Sequence, residues 1–386
     1  MNFSLSEDHK AVKEAAKNVA QLHLKNGVIK RDINMEYPVK EVQKLKDLGF
    51  MGIMSDPKYG GSGMDTISYV LALEEISKID ASCAVIMSAN NSLVAWGLEV
   101  YGTEEQKNKY LKPVAKGEKI GCFCLSEPEA GSDASSQQTT ALDCGNHYIL
   151  NGIKNWITSG GTSKIHLVVA QTDKEKGHRG IDVFIVESHW DGVKIGPKED
   201  KLGIRSSDTH SIMYNNVKIP KENRLGPKGF GFKFAMKTLE GGRIGVAAQA
   251  LGIAAGAYEL SVNYAKIRKT FGKQIIEHQA IAFKLADMAM DIESARMLVY
   301  RAAWLKDQDL PYGTASAIAK LKASEVAMKH TIEAVQIHGG NGYVKEYHVE
   351  RLMRDAKITQ IYEGTSEIQR VIISRVIEKG FLELPI

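Results

Sequence analysis

Apolar and polar positions repeat with two different periods along this chain, and the changes between them divide it into three parts. Up to about Lys119 the spacing is helical. Ser4-x-x-Glu7 and Thr103-x-x-Gln106 have the form of capping boxes and predict helix starts there. Asp65 precedes a long apolar run, Ile67 to Ile79, behind a loop containing Gly60, Gly61 and Gly63. From Ile120 to about Pro220 short β-rich runs take over: Ile120 to Leu125, His147 to Leu150, Ile165 to Ala170, Ile181 to Val186 and Ser211 to Tyr214. Asn151-Gly152, set between Tyr148-Ile149-Leu150 and Ile153-Lys154-Asn155-Trp156, predicts a hairpin, because both turn positions tolerate positive φ. From about Gly226 the helical period returns. Ile281, Leu285, Met288, Ile292, Ala295, Val299 and Ala302 form one stripe, as on a helix packed in a bundle.

The predicted protein is mainly α with a central β domain. An N-terminal helical domain spans 1–119, a middle β-barrel or sandwich spans 120–225, and a C-terminal four-helix bundle spans 226–386. No βαβ alternation supports a parallel Rossmann sheet, so the glycine-rich Gly226-Pro227-Lys228-Gly229-Phe230-Gly231 reads as a linker into the bundle.

Composition narrows the function classes. Lys plus Arg number 50 and Asp plus Glu 46, giving +4, and no run of five basic residues occurs. A nucleic-acid partner leaves a stronger footprint than this. None of the cysteines Cys83, Cys122, Cys124 and Cys144 forms C-x-x-C; Cys122 and Cys124 share a strand face, and all four read as small buried groups in a reducing compartment. The segment Met1 to Asp8 lacks the basic and apolar regions of a signal peptide. The longest apolar stretch, Gly245 to Tyr258, is broken by Gln249 and too short to span a bilayer. These features predict a cytoplasmic protein, or a mitochondrial matrix protein if a transit peptide has been removed. Eleven histidines are scattered without ligand spacing, so no metal site is expected. The P-loop, H-E-x-x-H and G-x-S-x-G patterns are absent.

Three segments carry the chemistry. Cys124-Leu125-Ser126-Glu127-Pro128-Glu129-Ala130-Gly131-Ser132-Asp133 resembles the first signature of the acyl-CoA dehydrogenase family. Gln336-Ile337-His338-Gly339-Gly340-Asn341-Gly342-Tyr343, followed by Glu346, Arg351 and Asp355, resembles the second. Arg268-Lys269-Thr270-Phe271-Gly272-Lys273 resembles the family's flavin-contacting loop. The likeness covers essentially the whole chain, in the family's order and spacing.

The resemblance implies FAD as cofactor. It places Phe123, Leu125 and Ser126 along the isoalloxazine rim, Trp156 and Ile157 beside the ring, and Thr158 at its N5. On residues alone Trp156 reads as a core aromatic. The turn at Gly131 and Ser132 is implied at the flavin, with Ser132 also touching CoA; Glu129, where many relatives have glycine, is expected to face solvent. Arg268, Thr270, Phe271, Gln279, Gln336, Gly339 and Gly340 are implied to reach the FAD of a neighbouring subunit, which makes the protein a homotetramer; Thr365 and Glu367 complete the cofactor set. An arginine fork suits a pyrophosphate, although Arg268 alone reads as a solvated helix-end charge. Glu240 and Arg243, read as opening the first long bundle helix, are implied to hold the pantetheine arm and the nucleotide part of the acyl-CoA substrate; Tyr362 and Gly364 complete that set.

Ile361-Tyr362-Glu363-Gly364-Thr365 matches the family's base motif. Ser366-x-x-Gln369 reads as a capping box, which puts Glu363 in the loop before a helix. On pattern alone such a glutamate is a surface residue that compensates the helix dipole. The resemblance makes it the catalytic base, since burial raises a carboxylate toward working pH. Relatives that place the base immediately before the arginine matched by Arg243 have it where this chain has Gly242. Ser88-Ala89-Asn90-Asn91-Ser92-Leu93 resembles the butyryl-type members, in which this helix closes the acyl cavity. The implied activity is FAD-dependent α,β-dehydrogenation of short-chain acyl-CoA to trans-2-enoyl-CoA, with electrons passed to an electron-transferring flavoprotein. A branched-chain acyl-CoA dehydrogenase and an acyl-CoA oxidase, the latter typically a longer chain, are the enzyme alternatives. A glutaryl-type enzyme needs a cation that Ala81 to Val100 does not contain. A DNA-associated flavoprotein on the same fold is the binding-class alternative, and the weak net charge counts against it.

Overall fold

The structure, a computed structural model, describes residues 4–380. Met1 to Phe3, part of the segment read for a leader, lie outside the described residues.

Helix Glu7–Val19 is capped by Ser6, whose side chain accepts from the His9 N–H at 3.1 Å, so the expected Ser4–Glu7 box is not the cap. The start at Glu7 turns Val12, Ala16 and Val19 into the core. The Thr103–Gln106 box is present, with reciprocal bonds of 3.0 and 3.2 Å. Asp65 caps helix Thr66–Ser77 through the Ser68 N–H at 2.7 Å. That helix is buried on nearly every side, between Glu7–Val19 and the long helix Gly231–Ile267. At Gly252 an added Cβ would lie 2.4 Å from the Glu74 carbonyl oxygen, so glycine lets the two backbones touch. Helix Ala81–Ser88 widens into π-helical turns over Ala89–Ala95. Asn90 and Asn91 hold this segment, donating to the Met51 and Phe50 carbonyls at 2.7 and 2.8 Å.

The middle part is one eight-stranded sheet: β1 (Gly121–Cys124), β2 (Thr140–Asp143), β3 (His147–Thr158), β4 (Ile165–Gln171), β5 (Ile181–Glu187), β6 (Val193–Lys198), β7 (Thr209–Pro220) and β8 (Arg224–Leu225). The order is β6-β7-β3-β2-β4-β5-β8, with β1 parallel to β4. One apolar interior receives side chains from β1, β2, β3, β4, β5 and β7, while alternate residues such as Leu167, Val169 and Val183 pack on helices outside.

The hairpin expected at Asn151-Gly152 does not form. β3 runs through it as a single 12-residue strand against the 12-residue β7, and only the register shifts between Leu150 and Gly152. Asn151 bonds across to the Asn216 N–H at 2.8 Å, and Thr139 crowds Gly152, so the pair is absorbed as a bulge. Three of the cysteines are buried; Cys144 is exposed, contrary to expectation, because it sits in the turn after β2.

The C-terminal part packs helices Gly231–Ile267, Gln279–Asp307 and Gly313–His338 with the shorter His348–Thr359 and Ser366–Glu378. Leu285, Met288, Ile292, Ala295, Val299 and Ala302 of the predicted stripe are all buried, with Ile281 packed at its edge. Because the first of these helices begins at Gly231, Glu240 and Arg243 lie well inside it, not at its opening. Among the described residues no helix is long and apolar enough to cross a membrane.

Candidate active site

Between helices His348–Thr359 and Ser366–Glu378 the chain makes a short loop, and its shape is unusual. Glu363 has φ 52° and Gly364 φ 92°, so two consecutive residues are left-handed. For a glutamate this conformation costs on the order of 1–3 kcal/mol and persists only when its surroundings enforce it. The enforcement is visible. The Gly364 carbonyl accepts from Lys320 Nζ and Gln369 Nε2, both at 2.8 Å. The Glu363 carbonyl accepts from Arg243 Nε at 3.3 Å and Gln369 Nε2 at 3.4 Å. The Tyr362 hydroxyl donates to Gln249 Oε1, and Gln249 donates to the Ala81 carbonyl at 2.8 Å. Thr365, not the expected Ser366, caps the following helix by accepting from the Ile368 N–H, which frees Gln369 to bind the loop carbonyls.

The turn aims the Glu363 carboxylate at the helix Gly231–Ile267. Its Oε2 is shut off from solvent and has no hydrogen-bond partner. Burial pushes the carboxyl up to about 7, opposed by the charges of Arg243 and Lys320. The facing helix offers no side chain at that point: a Cβ on Gly242 would lie 2.1 Å from Glu363 Oε2 and 2.8 Å from Leu93 Cδ2. One turn further on, the Tyr69 and Ser88 hydroxyls, 2.8 Å apart, fill the space over Gly245. The predicted cavity-closing segment thus contributes Ser88 and Leu93 to the walls around the carboxylate.

The same π-helical segment joins the Glu363 pocket to the β domain. Gly121 at the start of β1 donates to Asn90 Oδ1 at 3.0 Å, and Phe123 packs near Phe234 of the long helix, ring centroids 6.3 Å apart. Leu125 is buried, and Phe123 and Ser126 are half-buried. Ser126 is tied to β3 by the Asn155 N–H at 2.8 Å. Beneath it lies a network that the sequence reading missed. The buried Lys154 ammonium reaches Glu127 Oε1 at 2.6 Å, Gln137 Oε1 at 2.5 Å and the Leu125 carbonyl at 3.0 Å. Glu127 also accepts the Gln138 N–H at 2.6 Å. Pro128 and Glu129 form the tip of a tight turn closed by Glu127 and Ala130, and Glu129, Gly131 and Ser132 are exposed.

Trp156 lies where β3 and β7 lose register, with φ 61°, and is 64% exposed. A bulky residue rarely adopts that conformation. The bulge swings the indole away from the core, while Ile157 is buried and Thr158 half-buried. An exposed flat side chain beside a strand end with half-buried polar groups fits a flat ring with a polar rim.

A cavity of about 350 Å³ between bundle helices is lined by Met236, Glu240, Arg243, Thr314 and Ile318 among others. Burial raises the Glu240 carboxyl, with Arg243 opposing. Arg243 is 6% exposed and joins this cavity to the Glu363 loop.

Arg268, Phe271, Gln279, Gln336, Gly339 and Gly340 are exposed and Thr270 is half-buried. The His338 ring stacks on Tyr264 at 4.3 Å, which brings the Gln336 and Arg268 segments together. Glu367 is exposed, and Thr365 is half-buried at its cap.

One cluster with ligand-like spacing does occur. Cys122, Cys124 and His166 lie inside the β domain with ligand atoms within 4.8 Å of one another. Their sequence separation hid it, because His166 comes from β4. Burial pushes the Cys122 thiol well up and His166 down to about 4, so those two are neutral; the Tyr214 hydroxyl links His166 to the Cys124 sulfur.

Comparison with known proteins agrees with this arrangement. Residues 6–118, 122–217 and 229–378 match the N-terminal, middle and C-terminal domains of acyl-CoA dehydrogenase. The short-chain specific acyl-CoA dehydrogenase of Clostridium acetobutylicum is 49% identical over 374 residues, 97% of this chain and 99% of that one. The structure of butyryl-CoA dehydrogenase from Megasphaera elsdenii is similar at TM-score 0.96 and 49% identity, covering 98% of this chain and 100% of that one. A structure reported with the electron transferring flavoprotein of Acidaminococcus fermentans gives TM-score 0.96 at 50% identity, covering 98% and 99%. The class is an FAD-dependent oxidoreductase. The chain belongs to the acyl-CoA dehydrogenase family.

Proposed function

We propose that this protein converts short-chain acyl-CoA thioesters to trans-2-enoyl-CoA, with Glu363 removing the α-proton. The observation that carries this reading is the Glu363 Oε2: a carboxylate oxygen closed off from water, unpartnered, and raised to about 7. Such an oxygen is poised to take a proton from a bound carbon acid near neutral pH. FAD, when bound, supplies the acceptor for the β-hydrogen. Phe123, Leu125, Ser126, Trp156, Ile157 and Thr158 would hold it, with Gly131 and Ser132 at its edge. The strained loop holds the base still, and the missing side chain at Gly242 gives its carboxylate a place against the long helix. Leu93 beside the carboxylate and the Tyr69–Ser88 hydroxyl pair one helical turn further on narrow the surrounding space, which favours short acyl chains. Glu240 and Arg243 in the bundle cavity suit the polar pantetheine arm.

The reading extends to a homotetramer that passes electrons to an electron-transferring flavoprotein. Exposed Arg268, Phe271, Gln336 and the Gly339-Gly340 pair support it, since they stand free to meet a neighbour's cofactor. A reducing, cytoplasmic setting accords with the free cysteines.

Anaerobic titration with acyl-CoAs of increasing length tests the substrate class. Butyryl-CoA should bleach the flavin fastest; faster bleaching by isobutyryl- or isovaleryl-CoA would move the reading to branched substrates. Reoxidation in air as fast as with the flavoprotein acceptor would make it an oxidase. Glu363→Gln should keep FAD and bind CoA thioesters without bleaching.

A further inference from the structure

The charge of Lys320 has no part in that reading, yet the fold goes to some expense to bury it. Lys320 lies on helix Gly313–His338 among small core residues, Ser316, Ala319 and Ala323, and is fully buried. A lysine in such a place is destabilising unless its charge is used. Its ammonium bonds to the backbone carbonyl of Gly364 at 2.8 Å, not to an acid. That carbonyl belongs to the left-handed pair that aims the base, and Gln369 already donates to it. A neutral amide therefore suffices for the hydrogen bond; the cation adds a charge next to the carboxylate.

Resting on Glu363 as the base, we infer that Lys320 is a positioning residue for it: it clamps the Glu363–Gly364 turn and its charge keeps the desolvated carboxylate ionised. The groups that face this pair come from every neighbouring element. They are Arg243 from the long helix, Tyr69 from helix Thr66–Ser77, Tyr362 from the loop, Glu367 from the next helix and Glu325 from the same helix, with Glu240 behind Arg243. Burial raises Glu363 to about 7 and lowers Lys320 to about 8, so both titrate in the working range. Loss of the Lys320 charge leaves Arg243 as the one cation opposing burial of the base, and its ionisation moves to higher pH.

The test is the pH profile of flavin bleaching on anaerobic single mixing with butyryl-CoA, for the native enzyme, Lys320→Arg, Lys320→Gln and Lys320→Met, each checked for FAD content. Lys320→Gln and Lys320→Met should move the acid limb up by about one pH unit. The rate near pH 7 then falls about fivefold and recovers at alkaline pH, while Lys320→Arg keeps the native limb. If Lys320→Met does not assemble with FAD, Lys320→Gln, which can still donate to Gly364, carries the comparison. An unmoved acid limb in Lys320→Gln, or an equal displacement in Lys320→Arg, overturns the inference. Glu363→Gln separates the two levels: native bleaching there removes the base itself, whereas an inert Glu363→Gln with an unmoved Lys320→Gln limb removes only the role of Lys320.

Discussion

The Glu363 carboxylate occupies the space of a side chain that Gly242 does not have: an added Cβ there would lie 2.1 Å from Oε2. Gly242→Ala therefore cannot coexist with the present base position. The variant should fold, since alanine favours the helix, but the carboxylate must swing away. A displacement of about 1 Å at a reacting group costs roughly 100-fold in rate. Stopped-flow bleaching at saturating butyryl-CoA should show that loss at unchanged FAD content; a native rate would mean that the base acts from elsewhere.

Raising Glu363 from 4.5 to about 7 makes two opposite pH predictions. With Glu363 as the proposed base, activity needs the ionised form, so the bleaching rate should climb as pH passes through about 7. Stability follows the proton. The folded protein binds it more tightly than the unfolded chain, so this group's contribution is full below about 4.5 and lost as pH rises through about 7. Glu363→Gln mimics the protonated form. Calorimetric melting of the two proteins should converge toward pH 4.5 and separate above pH 8, with the glutamine variant the more stable.

Lys154 is the second buried lysine with a structural task. Lys154→Met removes the partner of Glu127 and leaves a buried carboxylate under the Leu125–Ser126 segment. Breaking one side of such a pair costs about 3–5 kcal/mol. Urea unfolding should register it, and FAD should be held more weakly. The double variant Glu127→Gln, Lys154→Met should recover part of the loss; additive losses would show that the two residues act independently.

The helical stripe from Leu285 to Ala302 was legible because burial repeats at the helical period, and β4 and β5 because each is a short, nearly continuous apolar run buried on both faces. Asn151-Gly152 misled because turn propensity is local, whereas the long pairing of β3 with β7 is not. Caps shifted by one or two residues, at Ser6 and Thr365, where several hydroxyls compete for the same N–H groups. Lys154 and Lys320 escaped notice because a charge reads as solvated. For Lys320 a signal existed, since it falls on the same helical face as Ser316 and Ala323. Glu363 was legible only through its motif. Its burial depends on Gly242 and Leu93, which no local pattern connects to it. The π-helical turns at Ala89–Ala95 leave no recognisable period at all.

Phe271 stands at the tip of the two-strand loop Lys269–Thr270/Lys273–Gln274, 97% exposed and with φ 50°. Its ring has one aromatic neighbour, His278, at 6.1 Å. Ile267 and Tyr343, at 80% and 86% exposure, add apolar surface from the segments that Tyr264 and His338 bring together. Isolated exposed hydrophobes are ordinary, but a strained one on a loop beside others supports the proposed subunit contact. Phe271→Asp puts a charge into that surface without touching the subunit core. It should leave helicity by circular dichroism unchanged, shift the sedimentation profile toward smaller species, and lower the ratio of flavin to protein absorbance. A variant that sediments like the native protein and keeps its full flavin would remove Phe271 from both the subunit contact and the cofactor site.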